Sequence, residues 1–451
     1  MNMIRKIAGS LILLLIFSCN QEKTNSGSAI STDPVQLHAA VNRLNDVVIY
    51  EIFSPPVASR IYAYSTLAAF EAGRWMDTSY RSLAAQLKGF PQMPEPLPGQ
   101  RYDFRIAGIE AFFNISLKLT FTKDSSKVTQ EKILKEMTEG VDNDVYATSI
   151  AFGDAVAEAI WKRAANDQYK EIQGMARYSP LDMPGRWKNT PPDYLDAIQP
   201  FWSKMQPLVM DSSAQFKPVP PPAYSTDTSS AFWKDMMEVY QVSKTLTEEQ
   251  KNIARFWDDN AAAITYKGHL MFANKKPSPG GHWMNIASIA CKKAGFDWLQ
   301  SSEAYAMTAV AMYEAFLSCW DEKYRSEYIR PVTVINETID KNWQTFLQTP
   351  PFPEYTSGHS VASATISTVL TKIFGDNFAF TDDYELPYIG IERSFPSFIK
   401  ASEEACISRL YGGIHFMSAI NNGRSQGRNL GAFIGNKIKW RTQSEIIAKI
   451  E

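Results

Sequence analysis

The chain has 451 residues, with 46 Lys+Arg against 48 Asp+Glu, 45% hydrophobic and 12% aromatic residues, 5 His and 4 Cys. That apolar content excludes a largely disordered chain, and the near-neutral charge argues against a nucleic-acid-binding protein. The Cys count is too low for a disulfide scaffold of this length, while the chain is long enough to bury a large core.

Positions 1–18 read as a secretory leader. Arg5 and Lys6 precede an apolar run over 7–17 that is shorter than the roughly 20 residues a membrane-spanning helix needs. Ile16-Phe17-Ser18-Cys19 is similar to a bacterial lipobox, which implies cleavage before Cys19 and lipidation of that Cys. The polar segment 19–34 then serves as a flexible tether. The expectation is an exported protein that meets a membrane only through a lipid anchor. Cys319 and Cys406 fall in apolar helical patterns and are expected to be buried and free. No CxxC pair is present, so a zinc or thiol-redox site is not expected.

Helical periodicity dominates the remainder, and the fold class expected is all-α, with two packed helical bundles. The N-terminal helical part covers 35–170. It carries Val41, Leu44, Val48 and Ile52, then Ile61, Leu67 and Phe70, broken only at Ser54-Pro55-Pro56. His38 opens the first helix and is expected in solvent. Over 171–230, recurrent Pro makes long helices improbable and predicts an irregular, ordered loop region. The C-terminal helical part, 231–451, contains a capping box at Thr247-Glu248-Glu249-Gln250. Further helices are predicted over 301–320 after Ser302, over 360–374 ended by Gly375, and over 398–417. Tyr266, Lys267 and His269 form a loop-like stretch that could line a site entrance.

Three short stretches concentrate hydrogen-bond donors. Lys323 and Arg330-Pro331 lie in the first, Ser357-Gly358-His359 in the second, and Ser408-Arg409 with His415 in the third. Guanidinium and ammonium groups, a hydroxyl and the N–H groups of a helix start are what a tetrahedral oxyanion requires. Gly412 and Gly413, read as lying inside the last helix, cost about 1 kcal/mol each against Ala and call for a compensating close approach. Each residue singly has an ordinary structural reading, as a helix-end charge, a cap or a core His. Together at these spacings they point to one oxyanion site.

The ordered set Lys-x6-Arg-Pro, Ser-Gly-His and Ser-Arg-x5-His resembles the signature of the type 2 phosphatidic acid phosphatase/vanadium haloperoxidase superfamily. The resemblance implies that Lys323, Arg330, Ser357, Gly358 and Arg409 hold vanadate or phosphate. It implies that His415 is the axial vanadium ligand, or the nucleophile of a phosphatase, and that His359 is the general acid–base. The family pattern often has Asp where this chain has Ala419, which leaves Asn421, Asn422 or a backbone carbonyl to orient His415. Thr356 stands where Pro is common.

Trp320 and Phe352 resemble the aromatic wall of the haloperoxidase branch, and Phe256-Trp257-Asp258 and Gly281-His282-Trp283 also look like elements of that branch. Asp258 is a candidate partner for a cage arginine. The favoured expectation is a vanadate cofactor with hydrogen peroxide, a halide (iodide or bromide over chloride) and small organic acceptors as partners. An exported acid phosphatase using His415 as nucleophile is the alternative, and a non-catalytic surface-binding lipoprotein is the third.

Overall fold

The computed structural model describes residues 32–260, 264–267, 269–273 and 276–440, without the side chains of 264–267 and 270–273. The leader, Cys19 and nearly all of the tether lie outside the described residues, as do the side chains of Tyr266 and Lys267.

The apolar spacing over 35–72 produces α1 (Val35–Tyr50) and α2 (Pro55–Gly73), separated where the prolines remove backbone donors. Every residue of α2 from Pro56 to Gly73 is buried, as expected of a helix surrounded by others. It packs against α3 (Phe104–Leu119), α5 (Asn143–Ala165) and α10 (Trp298–Ser326), with α4 (Asp124–Met137) outside α3. His38 is not in solvent. It is 5% exposed, and its Nδ1 lies 2.6 Å from the Tyr305 hydroxyl.

The Pro-rich stretch holds only the end of the short α6 (Tyr169–Gln173) and one 3-10 turn, yet it is anchored throughout. The buried Glu314 carboxylate on α10 accepts from Leu208 N–H at 2.6 Å and Met210 N–H at 2.7 Å. Farther back, the Ile198 carbonyl accepts from Trp320 Nε1 at 3.2 Å and from the Tyr324 hydroxyl at 2.6 Å.

Helices resume with α7 (Ala231–Lys244) and α8 (Glu248–Phe256), whose Thr247–Gln250 capping box forms as predicted. An antiparallel hairpin, β1 (Ile264–Lys267) and β2 (Leu270–Ala273), follows, with Ile264 opposite Ala273 and His269 exposed between the strands. Then come α9 (Pro279–Ala294), α10, α11 (Pro331–Thr338) and α12 (Gly358–Phe374). A second hairpin pairs β3 (Phe380–Asp382) with β4 (Arg393–Phe395) around α13 (Leu386–Ile389). The chain finishes with α14 (Phe398–Tyr411) and α15 (Met417–Lys437).

Three boundaries differ from the periodicity. Helix α10 starts at Trp298, because the capping pair is Asp297 with Gln300 rather than Ser302, and it extends to Ser326, so Lys323 is helical. Helix α12 starts two residues early, at Gly358, with Ser357 as its cap. The predicted 398–417 helix ends at Tyr411. Gly412 caps it and Gly413, at φ 75, turns the chain, so neither glycine is inside a helix. A separate helix, α15, then lies along α12. Cys291, Cys319 and Cys406 are free and buried. No helix among the described residues is long and apolar enough to cross a membrane.

Candidate active site

The donor-rich stretches converge because four chain segments end or turn at one place. Lys323 is in the last turn of α10, Arg330 is the residue before α11, Ser357 caps α12, and Arg409 lies in the last turn of α14, with His415 in the connection to α15. Of these, Arg409 and His415 line a cavity of about 70 Å³, together with Trp320, Phe352, Gly358 and His359. Gly358 lies close against two of these side chains: a Cβ built on it would be in van der Waals contact with the Trp320 ring at 3.7 Å and Lys323 Cε at 3.9 Å.

Lys323, Arg330 and Arg409 are each no more than 1% exposed. Their donors go to neutral acceptors. Lys323 Nζ donates to the Pro353 carbonyl at 2.8 Å and the Glu354 carbonyl at 3.0 Å. Arg330 Nε donates to the Phe352 carbonyl at 2.9 Å, and its Nη1 to the Ile414 carbonyl at 2.8 Å. Arg409 donates from Nε to Ser408 Oγ at 3.0 Å and from Nη2 to the Trp257 carbonyl. Among the described residues, no carboxylate oxygen lies within 4.0 Å of any of these cations. Carbonyls aim a cation without neutralising it, so burial pushes Lys323 down to about 7 and Arg330 down to about 10, and lowers Arg409 as well. Arg330 Nη2 is buried with no partner at all. Phe352 presents its ring to two of the cations, 5.0 Å from Lys323 Nζ and 5.1 Å from Arg330 Cζ. Trp320 lies against Phe352, with ring centroids 5.0 Å apart.

His415 is oriented by Glu354, not by the groups that the sequence suggested. Glu354 Oε1 lies 2.8 Å from His415 Nδ1 and accepts the Phe416 N–H at 2.9 Å. Asn422 instead bonds to Tyr355, and Asn421 accepts from Arg424 at 3.3 Å. Burial, then the charges of Arg330, Lys323 and Arg409, hold His415 well below the usual imidazole range. With Nδ1–H donated to Glu354, the Nε2 lone pair faces the cage, 3.2 Å from Arg330 Nη1. Burial pushes the Glu354 carboxyl up to about 8, against the opposing pull of Arg330, the Phe416 N–H and Lys323. Position 419 still contributes, since the Ala419 carbonyl accepts the Ser357 N–H at 3.3 Å. Thr356 uses the hydroxyl that a proline would lack, donating to Gln426 Oε1 at 2.8 Å.

His359 is in the first turn of α12, and its Nε2 lies 3.6 Å from Asp259 Oδ2. Burial, then Arg409, lowers it to about 4, with Asp259 opposing. Asp258 does not pair with a cage arginine; its carboxylate meets Lys276 Nζ at 2.6 Å. Asp259 and Glu354 are the two site residues that sequence reasoning passed over. The only local signal for Glu354 was an acid set inside the donor-rich second motif.

The family model described as the VCPO second helical-bundle domain matches residues 303–443, which include all three donor-rich stretches. A solved structure described as the first bacterial vanadium-dependent iodoperoxidase is 45% identical over 92% of this chain and 99% of its own, with a TM-score of 0.86. This chain belongs to the vanadium-dependent haloperoxidase family. Holo and apo forms of a bacterial vanadium-dependent chloroperoxidase share the fold at 16% identity, with TM-scores of 0.64 and 0.65. Among curated proteins, none matches the sequence.

The cofactor that gives the family its name is an oxyanion, and the residues present fit one. Buried cations with no carboxylate of the described residues within 4.0 Å, an Arg330 Nη2 without a hydrogen-bond partner and a His415 Nε2 lone pair that only Arg330 Nη1 approaches, at 3.2 Å, form a donor set suited to an oxyanion with a Lewis acid centre. The Ser357 hydroxyl accepts the Ser360 N–H at 3.3 Å, which leaves its own hydrogen free to donate.

Proposed function

We propose that this haloperoxidase oxidises iodide, and secondarily bromide, with hydrogen peroxide: peroxide, halide and one proton give hypohalous acid and water. The observation that carries this reading is the group of buried cations, none with a carboxylate of the described residues within 4.0 Å, gathered around an imidazole already oriented by Glu354. Lys323, Arg330, Arg409, Ser357 and the Gly358 N–H would hold the vanadate oxygens, and His415 Nε2 would ligate vanadium. Bound vanadate supplies a Lewis acid that polarises peroxide without changing oxidation state.

The chain's own residues manage protons and exclude water. His359 is neutral near pH 7, and with Nε2 turned to Asp259 its Nδ1 is the nitrogen left to take a proton from peroxide and return it to the departing oxygen. Trp320, Phe352, Phe316 and Ile414 give the cavity an apolar wall, which favours a large, weakly hydrated anion. The cavity, about 70 Å³, is roughly half the volume that encloses benzene, so peroxide and halide fit inside it more readily than a bulky organic acceptor. The leader and the lipobox-like Cys19 support export and a lipid anchor, a placement that keeps hypohalous acid from cytosolic thiols.

The test is a halide panel with peroxide, with and without vanadate, beside a chromogenic phosphomonoester. Vanadate-dependent iodide oxidation supports the reading. Phosphomonoester hydrolysis without halide oxidation overturns it.

A further inference from the structure

Next to the cage sits a second charged group that the reaction outlined above does not use. His282, in the first turn of α9, is fully buried at 0% exposure. Its Nδ1 lies 2.9 Å from Asp259 Oδ1 and its Nε2 lies 2.8 Å from Asp382 Oδ2, at the end of β3. A neutral imidazole has one donor and one lone pair, so only the imidazolium satisfies carboxylates on both nitrogens. Those two carboxylates outweigh burial and hold His282 well above the usual imidazole range. The ring is further fixed by stacking on Trp257, with centroids 4.6 Å apart and planes 20° apart. Trp257 is the residue whose carbonyl holds Arg409.

The far side of Asp259 faces the reaction. Its Oδ2 is buried without a hydrogen-bond partner, and so is His359 Nε2, 3.6 Å away. These two unpartnered atoms face each other just beyond bonding distance, and closing the gap needs only about 0.6 Å. Glu385 brings a carboxylate oxygen within 4.8 Å of the Asp259 and His282 donor atoms, a spacing that could suit a metal ion. Both His282 nitrogens are already engaged, however, and burial beside Asp259 pushes Glu385 up to about 8, so it is largely neutral. The geometry favours a proton-holding chain over a metal site.

We propose that His282, clamped between Asp382 and Asp259, is a positioning residue that aims Asp259 Oδ2 at His359 and so fixes which nitrogen of His359 faces the cavity. A carboxylate on Nε2 selects the Nε2–H tautomer, presents Nδ1 as the base and stabilises the imidazolium once it forms. Without His282, Asp259 can rotate away and His359 can adopt either tautomer. The inference rests on the halide-oxidation reading for its catalytic consequence but not for the tautomer itself.

The test combines imidazole nitrogen NMR on the vanadate-free full chain, calorimetric vanadate binding and steady-state iodide oxidation. In the wild-type protein His282 should be doubly protonated near pH 7, and His359 should be the Nε2–H tautomer. In His282→Gln, His359 should show mixed tautomers. Its kcat should fall 10- to 100-fold, with KM for iodide and vanadate affinity each within about threefold of wild type. Asp382→Asn keeps the side-chain size and should shift the same quantities in the same direction by less, which covers the case in which His282→Gln does not fold. A neutral His282, an unchanged His359 tautomer, or a parallel loss of kcat and vanadate affinity in the variants would overturn the proposal. If the wild-type chain shows the expected tautomers but no vanadate-dependent iodide oxidation, the functional reading fails and the positioning role stands.

Discussion

Replacing Glu354 separates the geometry of the axial imidazole from the charge behind it. Glu354 is 0% exposed, and one oxygen serves two donors, His415 Nδ1 at 2.8 Å and the Phe416 N–H at 2.9 Å. Glu354→Ala strands both. A buried unsatisfied donor costs about 1–3 kcal/mol, so the vanadate-free protein should lose about 2–6 kcal/mol of stability, less whatever an entering water recovers. With His415 free to turn, vanadate affinity should fall about 10- to 100-fold, the usual consequence of removing a residue that orients a metal ligand. Glu354→Gln behaves differently. Its amide oxygen can accept both hydrogens, and its NH₂ occupies the place of an oxygen that has no partner in the wild type. Because burial pushes the Glu354 carboxyl up to about 8, the wild-type side chain is itself mostly neutral at pH 7. The Gln variant should therefore lose about 1–3 kcal/mol, for an amide hydrogen left without an acceptor, which is less than the Ala variant loses, and should bind vanadate less than tenfold more weakly. Chemical denaturation and calorimetric titration read both quantities. If the Ala variant binds vanadate like wild type, Glu354 does not orient His415. If Gln is as damaging as Ala, charge rather than hydrogen-bond geometry is what the site needs.

Vanadate binding should weaken as pH rises through 7 to 8. Lys323, lowered to about 7, and Glu354, raised to about 8, both favour the anion in their protonated forms, so binding takes up protons. Titrations in buffers of different ionisation enthalpy count those protons. Glu354→Gln should flatten the dependence, and a rise in affinity with pH in the wild type would contradict the assignment. Gly427→Ala should destabilise the fold by about 1–3 kcal/mol in thermal unfolding, even though Ala is the better helix former. Its Cβ would lie 2.4 Å from the Val361 carbonyl and 2.8 Å from Ala364 Cβ, forcing α15 away from α12. Unchanged stability would mean that the two helices are not in this close contact.

The parts of the molecule legible in the sequence are those encoded locally. The Thr247 capping box, the break at Pro55-Pro56 and the buried cysteines follow from short-range patterns, and so do the ordered spacings of Lys323/Arg330, Ser357-Gly358-His359 and Arg409/His415. Helix α15 was not legible. It is polar and interrupted by Gly423, Gly427 and Gly431, which lower intrinsic propensity, and it owes its helical state to close backbone packing on α12. Nor was the orientation of the two histidines. Glu354 and His415 are 61 positions apart, and His282 and Asp382 are 100 apart, so only the fold makes them neighbours. Asp258 and Asp259 show how narrow the margin is. Adjacent acids of the same type take opposite roles, one on Lys276 and the other between His282 and His359.

The most direct test of the central claim is iodide oxidation by the purified vanadate-free chain, titrated with vanadate in the presence of peroxide, with His415→Ala carried alongside. Activity should appear only as vanadate is added, saturate at one equivalent, and be absent from the His415 variant. Iodide oxidation that is indifferent to vanadate, or a His415→Ala variant that retains full vanadate-dependent activity, would contradict the assignment of the cage as the catalytic centre.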